Sequence, residues 1–364
     1  MPDNAGFNPS LHLLRGIVIV LVILGHAITP AYDNSGSRLE TVNSVIHAFH
    51  MHTFFFLSGF FGSKFFFVSR GSAGRIVVNQ LKRLLLVYFF YSLLGILLKV
   101  GVPSSMVYRP LNWGRLLTDI LLYPQQNPLL LLWFIYSLFL VQMLFLCVSV
   151  VLRPDYRRPT TALFVLLLLA AASYFSVGTP LNSLLGWSFV TRYAVYFFLG
   201  FMAGQRGDAI QQRLLRGRHI ILAGGLIYFS ALLPAWEHLP KMWFLGVIYA
   251  LAGIAVSWTL AIQLAVVGGQ VAGVVKCLAD YSYEIYLNGG VMQAATRIVV
   301  RHGLVAVLPW MADAWRPVLL ASGVAIGLIG PILLTRYVYS RNVWLRRLAM
   351  GQWRQAAAAT KGAA

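Results

Sequence analysis

Apolar runs near 20 residues long, separated by short polar stretches, fill most of the chain from residue 11 onward. A helix of that length rises about 30 Å, the thickness of a bilayer's hydrocarbon core. The pattern predicts about ten spans, at 11–30, 47–68, 84–100, 129–151, 160–178, 190–204, 219–234, 243–266, 277–298 and 317–338. No coiled coil and no repeat accompanies them, and the one low-complexity stretch is the Ala-rich end, 356–364. The expected fold is all-α and polytopic. A single transmembrane domain would cover 1–340, followed by a basic, Ala-rich cytoplasmic tail over 341–364.

Polar residues inside apolar runs are costly, about 3 kcal/mol for a charge at mid-span, so each marks a candidate site. The first span reads Arg15-Gly16-Ile17 and then stays apolar to Gly25-His26. Arg15 and His26 lie roughly 16 Å apart along one helix, one near a face and one deep. The second span opens with His47, His50 and His52, at a depth similar to His26 on the next helix of an antiparallel hairpin. Their i, i+3, i+5 spacing does not put all three on one face, and no acid or cysteine stands among them. They read as an interfacial polar cluster or a proton-handling site, and no metal is expected.

Lys82 and Arg83 stand at the mouth of the third span, with Arg75 upstream. They read either as topology markers or as a phosphate clamp for an anionic cosubstrate such as coenzyme A. Asp280 and Glu284 are four apart, which on one helix places them on one face. They suit an ion pair with a cytoplasmic arginine, or a role in the site.

Composition sharpens this reading. The chain of 364 residues is 59% hydrophobic and 11% charged, where a soluble domain carries about 25% charged residues. A net charge of +19 would point to nucleic acid in a soluble protein. Here the cations fall in short loops, so no nucleic-acid partner is expected. One alternating set of loops and tails holds about twice the Lys and Arg of the other, which predicts that both termini are cytoplasmic. The two cysteines, Cys147 and Cys277, fall in or beside spans and read as buried small apolar groups without a disulfide. The N-terminal MPDNAGFNPSLH lacks the basic region of a signal peptide, so the first span is expected to stay in the protein.

Taken in order, the motifs resemble the acyltransferase-3 family of integral membrane acyltransferases. The resemblance rests on Arg15-Gly-Ile with His26 eleven residues on, His50-Met-His-Thr-Phe-Phe-Phe-Leu-Ser-Gly59, and Lys82-Arg83. It continues through Leu132-Trp133-Phe134-Ile135, Phe197-Phe198-Leu199-Gly200 and Tyr281-Ser-Tyr-Glu-Ile-Tyr-Leu287. His52 stands where proline is common in the family, and Asn288 where a histidine often follows Tyr-Leu. The resemblance implies a multi-pass protein of the bacterial inner membrane that moves an acetyl group from cytoplasmic acetyl-CoA to a sugar hydroxyl. The expected acceptor is an exopolysaccharide or its lipid-linked oligosaccharide repeat unit, such as a mannose hydroxyl of a xanthan-like polymer; osmoregulated glucan, O-antigen and peptidoglycan are the alternatives, as is succinyl for the acyl group. His26 would act as base, Arg15 would orient the donor, and His50 would support or share the base role. Lys82, Arg83 and Arg75 would hold the CoA phosphates, and no metal takes part.

Two other readings compete. A transporter or flippase of a glycan or small solute would use the same intramembrane charges as a permeation path. No pair of broken helices at matching positions in two halves supports that. A glycan polymerase or ligase would carry a large outer loop rich in arginine, whereas the 101–128 loop is short and holds two.

Overall fold

The computed structural model describes residues 8–32, 38–62, 65–102, 111–176, 180–235, 243–304 and 311–353. Among them no strand occurs. The α-helices are α1 (Pro9–Tyr32), α2 (Arg38–Phe60), α3 (Arg70–Gln80), α4 (Leu86–Val100), α5 (Leu116–Leu121), α6 (Trp133–Val151), α7 (Pro159–Phe175), α8 (Trp187–Gly204), α9 (Gly207–Arg216), α10 (Arg218–Ala235), α11 (Trp243–Val267), α12 (Gly269–Asp280), α13 (Ser282–Ile298), α14 (Met311–Tyr337) and α15 (Val343–Met350). A π-helical turn, Leu81–Leu85, joins α3 to α4. Lys64, Pro103, Arg109, Pro110 and the Ala-rich stretch 356–364 lie outside the described residues.

Among the described residues six helical segments are long and apolar enough to cross a membrane. These are Pro9–Thr29, Gly71–Val100, Leu130–Val151, Ser183–Gly204, Trp243–Val267 and Trp315–Arg341. The remaining segments expected to span fall on helices of other character. α7 and the apolar start of α10 are shorter. α2 begins nine residues ahead of the predicted boundary, because the polar stretch from Arg38 is helical, and it ends at Phe60. The segment expected at 277–298 is broken at Tyr281 (φ −99°, ψ 13°), which separates α12 from α13.

The chain forms two compact units. The first joins residues 1–61 to 200–333. Its axis is α1, which packs against α2, α11, α12 and α13. Leu11, Leu14, Val18 and Ile19 recur at helical spacing and are fully buried. Asn8 starts α1 as its cap: its Oδ1 accepts from the Ser10 amide at 3.1 Å, and its Nδ2 donates to Gln211 of α9 at 2.7 Å. Gln293 of α13 donates to the Ile23 carbonyl at 2.8 Å.

The second unit holds 62–199 and 334–364. Rings fill its core: Phe145 lies 5.1 Å from Phe197, and Phe66 lies 5.3 Å from Tyr156. α7 buries only Ala162 and Ser173 and turns Leu163, Phe164, Leu167 and Leu168 outward. Such an apolar outer face suits contact with lipid rather than water. Cys147 is also exposed, on α6, and Cys277 is half-buried; both are free thiols. The expectation that both are buried therefore fails, since on a lipid-facing helix an apolar thiol need not turn inward.

Candidate active site

Two polar stations lie on α1, both within the first unit. The first centres on Arg15. Gly16 brings α1 so close to α12 that an added Cβ would collide with the Val275 carbonyl oxygen. This approach lets the Arg15 guanidinium donate to the Ala279 carbonyl at 2.7 Å. The same Nη2 lies 3.5 Å from His12 Nδ1, and His12 Nε2 lies 2.9 Å from Asp280 Oδ1. Guanidinium nitrogens only donate, so His12 Nδ1 accepts and its Nε2–H donates to Asp280. Glu284 is buried on α13, within electrostatic reach of the Arg15 charge. Asp280 and Glu284 do not lie on one continuous helix as expected, because Tyr281 breaks the helix between them. Asp280 pairs with a histidine, and its carboxylate is more than half exposed.

The second station is a row of imidazoles. The His26 ring of α1 meets the His47 ring of α2 edge-on at 5.8 Å, and His47 meets His50 at 4.8 Å. Gly25 makes room for them: a Cβ there would lie 3.0 Å from His47 Cε1 and 3.2 Å from Asn43 Oδ1. Asn43 in turn donates to Thr29 Oγ1 at 3.0 Å and so ties the two helices together. His50 is buried, with Nδ1 2.7 Å from the Ile46 carbonyl, and His47 Nδ1 is 2.8 Å from the Asn43 carbonyl. A carbonyl only accepts, so both Nδ1 atoms carry protons and both neutral rings keep a basic lone pair on Nε2. His52 stands two positions beyond His50, at a different azimuth of the helix. Among the described residues no three His, Cys, Asp or Glu side chains are arranged to hold a metal ion.

The cations expected at a span mouth lie in the second unit. Lys82 and Arg83 sit on the π turn in the middle of a 30-residue helical stretch, Gly71–Val100, and Arg75 is exposed on α3. Lys82 and Arg83 are exposed as well. α15, a well-capped helix, packs against α4, and the residues that follow it reach this turn. Asn342 accepts from the amides of Trp344 and Leu345 at its start, and the left-handed Gly351 (φ 63°) closes its end beside the Arg83 backbone. The Trp353 indole N–H donates to the Lys82 carbonyl at 3.2 Å. The Trp353 ring lies 5.3 Å from Lys82 Nζ and 5.5 Å from the Arg347 guanidinium. The result is a pair of cations, Lys82 and Arg347, braced by one aromatic ring, with Arg83 next to Lys82 on the turn.

Sequence reasoning brought out Arg15, His26, His50, Lys82, Arg83 and Arg75. It missed His12, which stands three residues before Arg15 and so shares its face. It gave no separate role to His47, which lies between His26 and His50. It also missed Arg347 and Trp353, where Asn342 and Gly351 at the ends of α15 were the available signal of a folded segment. Asn288, in the position of an expected histidine, is buried and donates to the Glu284 carbonyl of its own helix at 3.0 Å.

Six helices long and apolar enough to cross a membrane, the first of them carrying an arginine and a histidine, define a multi-pass membrane protein. The family model described as an acyltransferase domain, Acyl_transf_3, matches residues 8–336. The chain belongs to this acyltransferase-3 family and is a membrane acyltransferase. No curated protein and no solved structure gives a match.

Proposed function

We propose that this protein is an O-acetyltransferase of the bacterial inner membrane, with both termini in the cytoplasm. It moves the acetyl group of cytoplasmic acetyl-CoA to a sugar hydroxyl of an exopolysaccharide or its lipid-linked repeat unit. The observation that carries this reading is the contiguous row His26–His47–His50 across α1 and α2, whose His26 shares α1 with the paired Arg15.

Within the first unit, an imidazole nitrogen of His26 takes the proton of the acceptor hydroxyl as its oxygen attacks the thioester carbonyl. The tetrahedral intermediate then collapses. The C–S bond breaks, the ester forms, and the thiolate of CoA leaves and recovers the proton from the imidazolium. His47 and His50 hold the His26 ring in place and offer a second route for the proton. Arg15, about 16 Å down the helix from His26, orients the pantetheine arm. Within the second unit, Lys82, Arg83 and Arg75 supply cations to the CoA phosphates, joined by Arg347.

The test uses purified protein in liposomes, acetyl-CoA labelled in the acetyl group, and the isolated polysaccharide or its lipid-linked repeat unit. Label appearing as an alkali-labile ester on the glycan, with stoichiometric release of CoA, supports the reading. Movement of glycan across the bilayer without CoA release would support a flippase instead.

A further inference from the structure

The second unit contains a polar cavity of about 380 Å³ that the chemistry above does not use. It lies where α4 ends and the segment leading into α6 begins, and Lys99, Arg115, Asp119, Tyr123, Gln125 and Asn127 are among its lining residues. Lys99 follows Lys82 by 17 positions on one continuous helical stretch, so cavity and cationic turn lie about 25 Å apart along it.

The cavity wall is held in a fixed shape. The Tyr88 hydroxyl donates to the Ile120 carbonyl at 2.6 Å, and the Tyr136 hydroxyl donates to the Leu121 carbonyl at 3.0 Å. Asn127 is buried; its Nδ2 donates to Ser92 Oγ at 2.8 Å and its Oδ1 accepts from the Leu129 amide at 3.0 Å. Gln125 Nε2 donates to the Ser183 carbonyl at 2.8 Å, which fixes the amide; among the described residues its Oε1 has no partner.

We propose that this cavity binds a hexose ring of the acceptor glycan; the proposal rests on the reading of the protein as a glycan acyltransferase. Sugar hydroxyls both donate and accept, and the wall offers both kinds of group. Asp119, 4.0 Å from Arg115, sets an acceptor among the cations, a mixture suited to hydroxyls rather than to a bare phosphate. Tyr123 supplies a ring on which the C–H face of a sugar can rest. The volume is at the low end of ligand pockets, which run from about 300 to 1,000 Å³, and so fits one or two rings.

Saturation-transfer NMR on the full-length protein in detergent micelles tests this, with the methyl glycosides of mannose, glucose and galactose as probes and glycerol as control. Transfer to the ring protons of at least one glycoside is expected. It should fall about fivefold or more, the worth of one hydrogen bond, in Asp119→Ala and in Gln125→Ala, each checked for an unchanged melting profile. Tyr123→Ala is the second variant should either of these fail to fold. No signal above glycerol, or equal signals in wild type and folded variants, would overturn the proposal. Labelled-acetyl transfer separates it from the reading it rests on. Glycoside binding without any transfer sinks the acetyltransferase reading and leaves the cavity standing. Transfer whose acceptor KM is the same in the variants sinks the cavity alone.

Discussion

His47 shows how a spacing pattern becomes geometry. Its ring fits between His26 and His50 only because Gly25 presents no side chain to it. Gly25→Ala would push a methyl group against His47 Cε1 and Asn43 Oδ1. We expect a loss of about 1–3 kcal/mol, read as a lower melting temperature, and a fall in kcat with little change in KM for acetyl-CoA. An unchanged kcat in the folded variant would argue against imidazole packing as part of the site. Arg15 behaves differently, since its guanidinium serves the Ala279 carbonyl and His12 together. Arg15→Lys keeps the charge but loses the planar fork. Its KM for acetyl-CoA should rise while the melting temperature stays near wild type. Arg15 and His26 were legible in the sequence because a polar residue in an apolar run is conspicuous. His12 was not, because it falls at the edge of the run, where polar residues are ordinary.

Among the helices, α1 and α15 differ in how they are encoded. The apolar run of α1 gives away both its existence and its length. α15 is short and basic, so hydropathy reads it as tail, and only its caps reveal it as helix. The indole N–H of Trp353 and its contacts with Lys82 and Arg347 couple this helix to the π turn. Trp353→Ala removes one hydrogen bond and two cation–ring contacts. Together these are worth about 1.4 kcal/mol or more, a tenfold effect. The KM for acetyl-CoA should rise about that much, with the acceptor KM unaffected. A variant with wild-type donor kinetics would show that α15 has no part in holding the donor. Hydropathy likewise misplaced the start of α2 and missed the break at Tyr281. The polar residues from Arg38 to Ser44 are helical because α1 packs beside them, a cause that a window of local sequence does not contain.

For the molecule as a whole, membrane residence was readable from apolar runs and charge, and the family from motif order. The number of spans was less so: among the described residues six helical segments meet the length and apolarity of a span, and α2 and α13, which carry His47, His50 and Glu284, are not among them. The charge bias predicts which side each loop faces. In a Cys147→Ser, Cys277→Ser background, Trp113→Cys should react with an impermeant maleimide added outside the membrane, and Arg157→Cys should not. The reverse result would invert the proposed topology and with it the side from which the donor enters. In the proposed mechanism His26 is the general base. Purified wild-type protein and His26→Ala are compared in liposomes with acetyl-labelled acetyl-CoA and the glycan acceptor. We predict labelled ester for the wild type and a loss of about 10²–10⁴-fold for a folded His26→Ala, the contribution of a general base. Full transfer by His26→Ala would contradict the account.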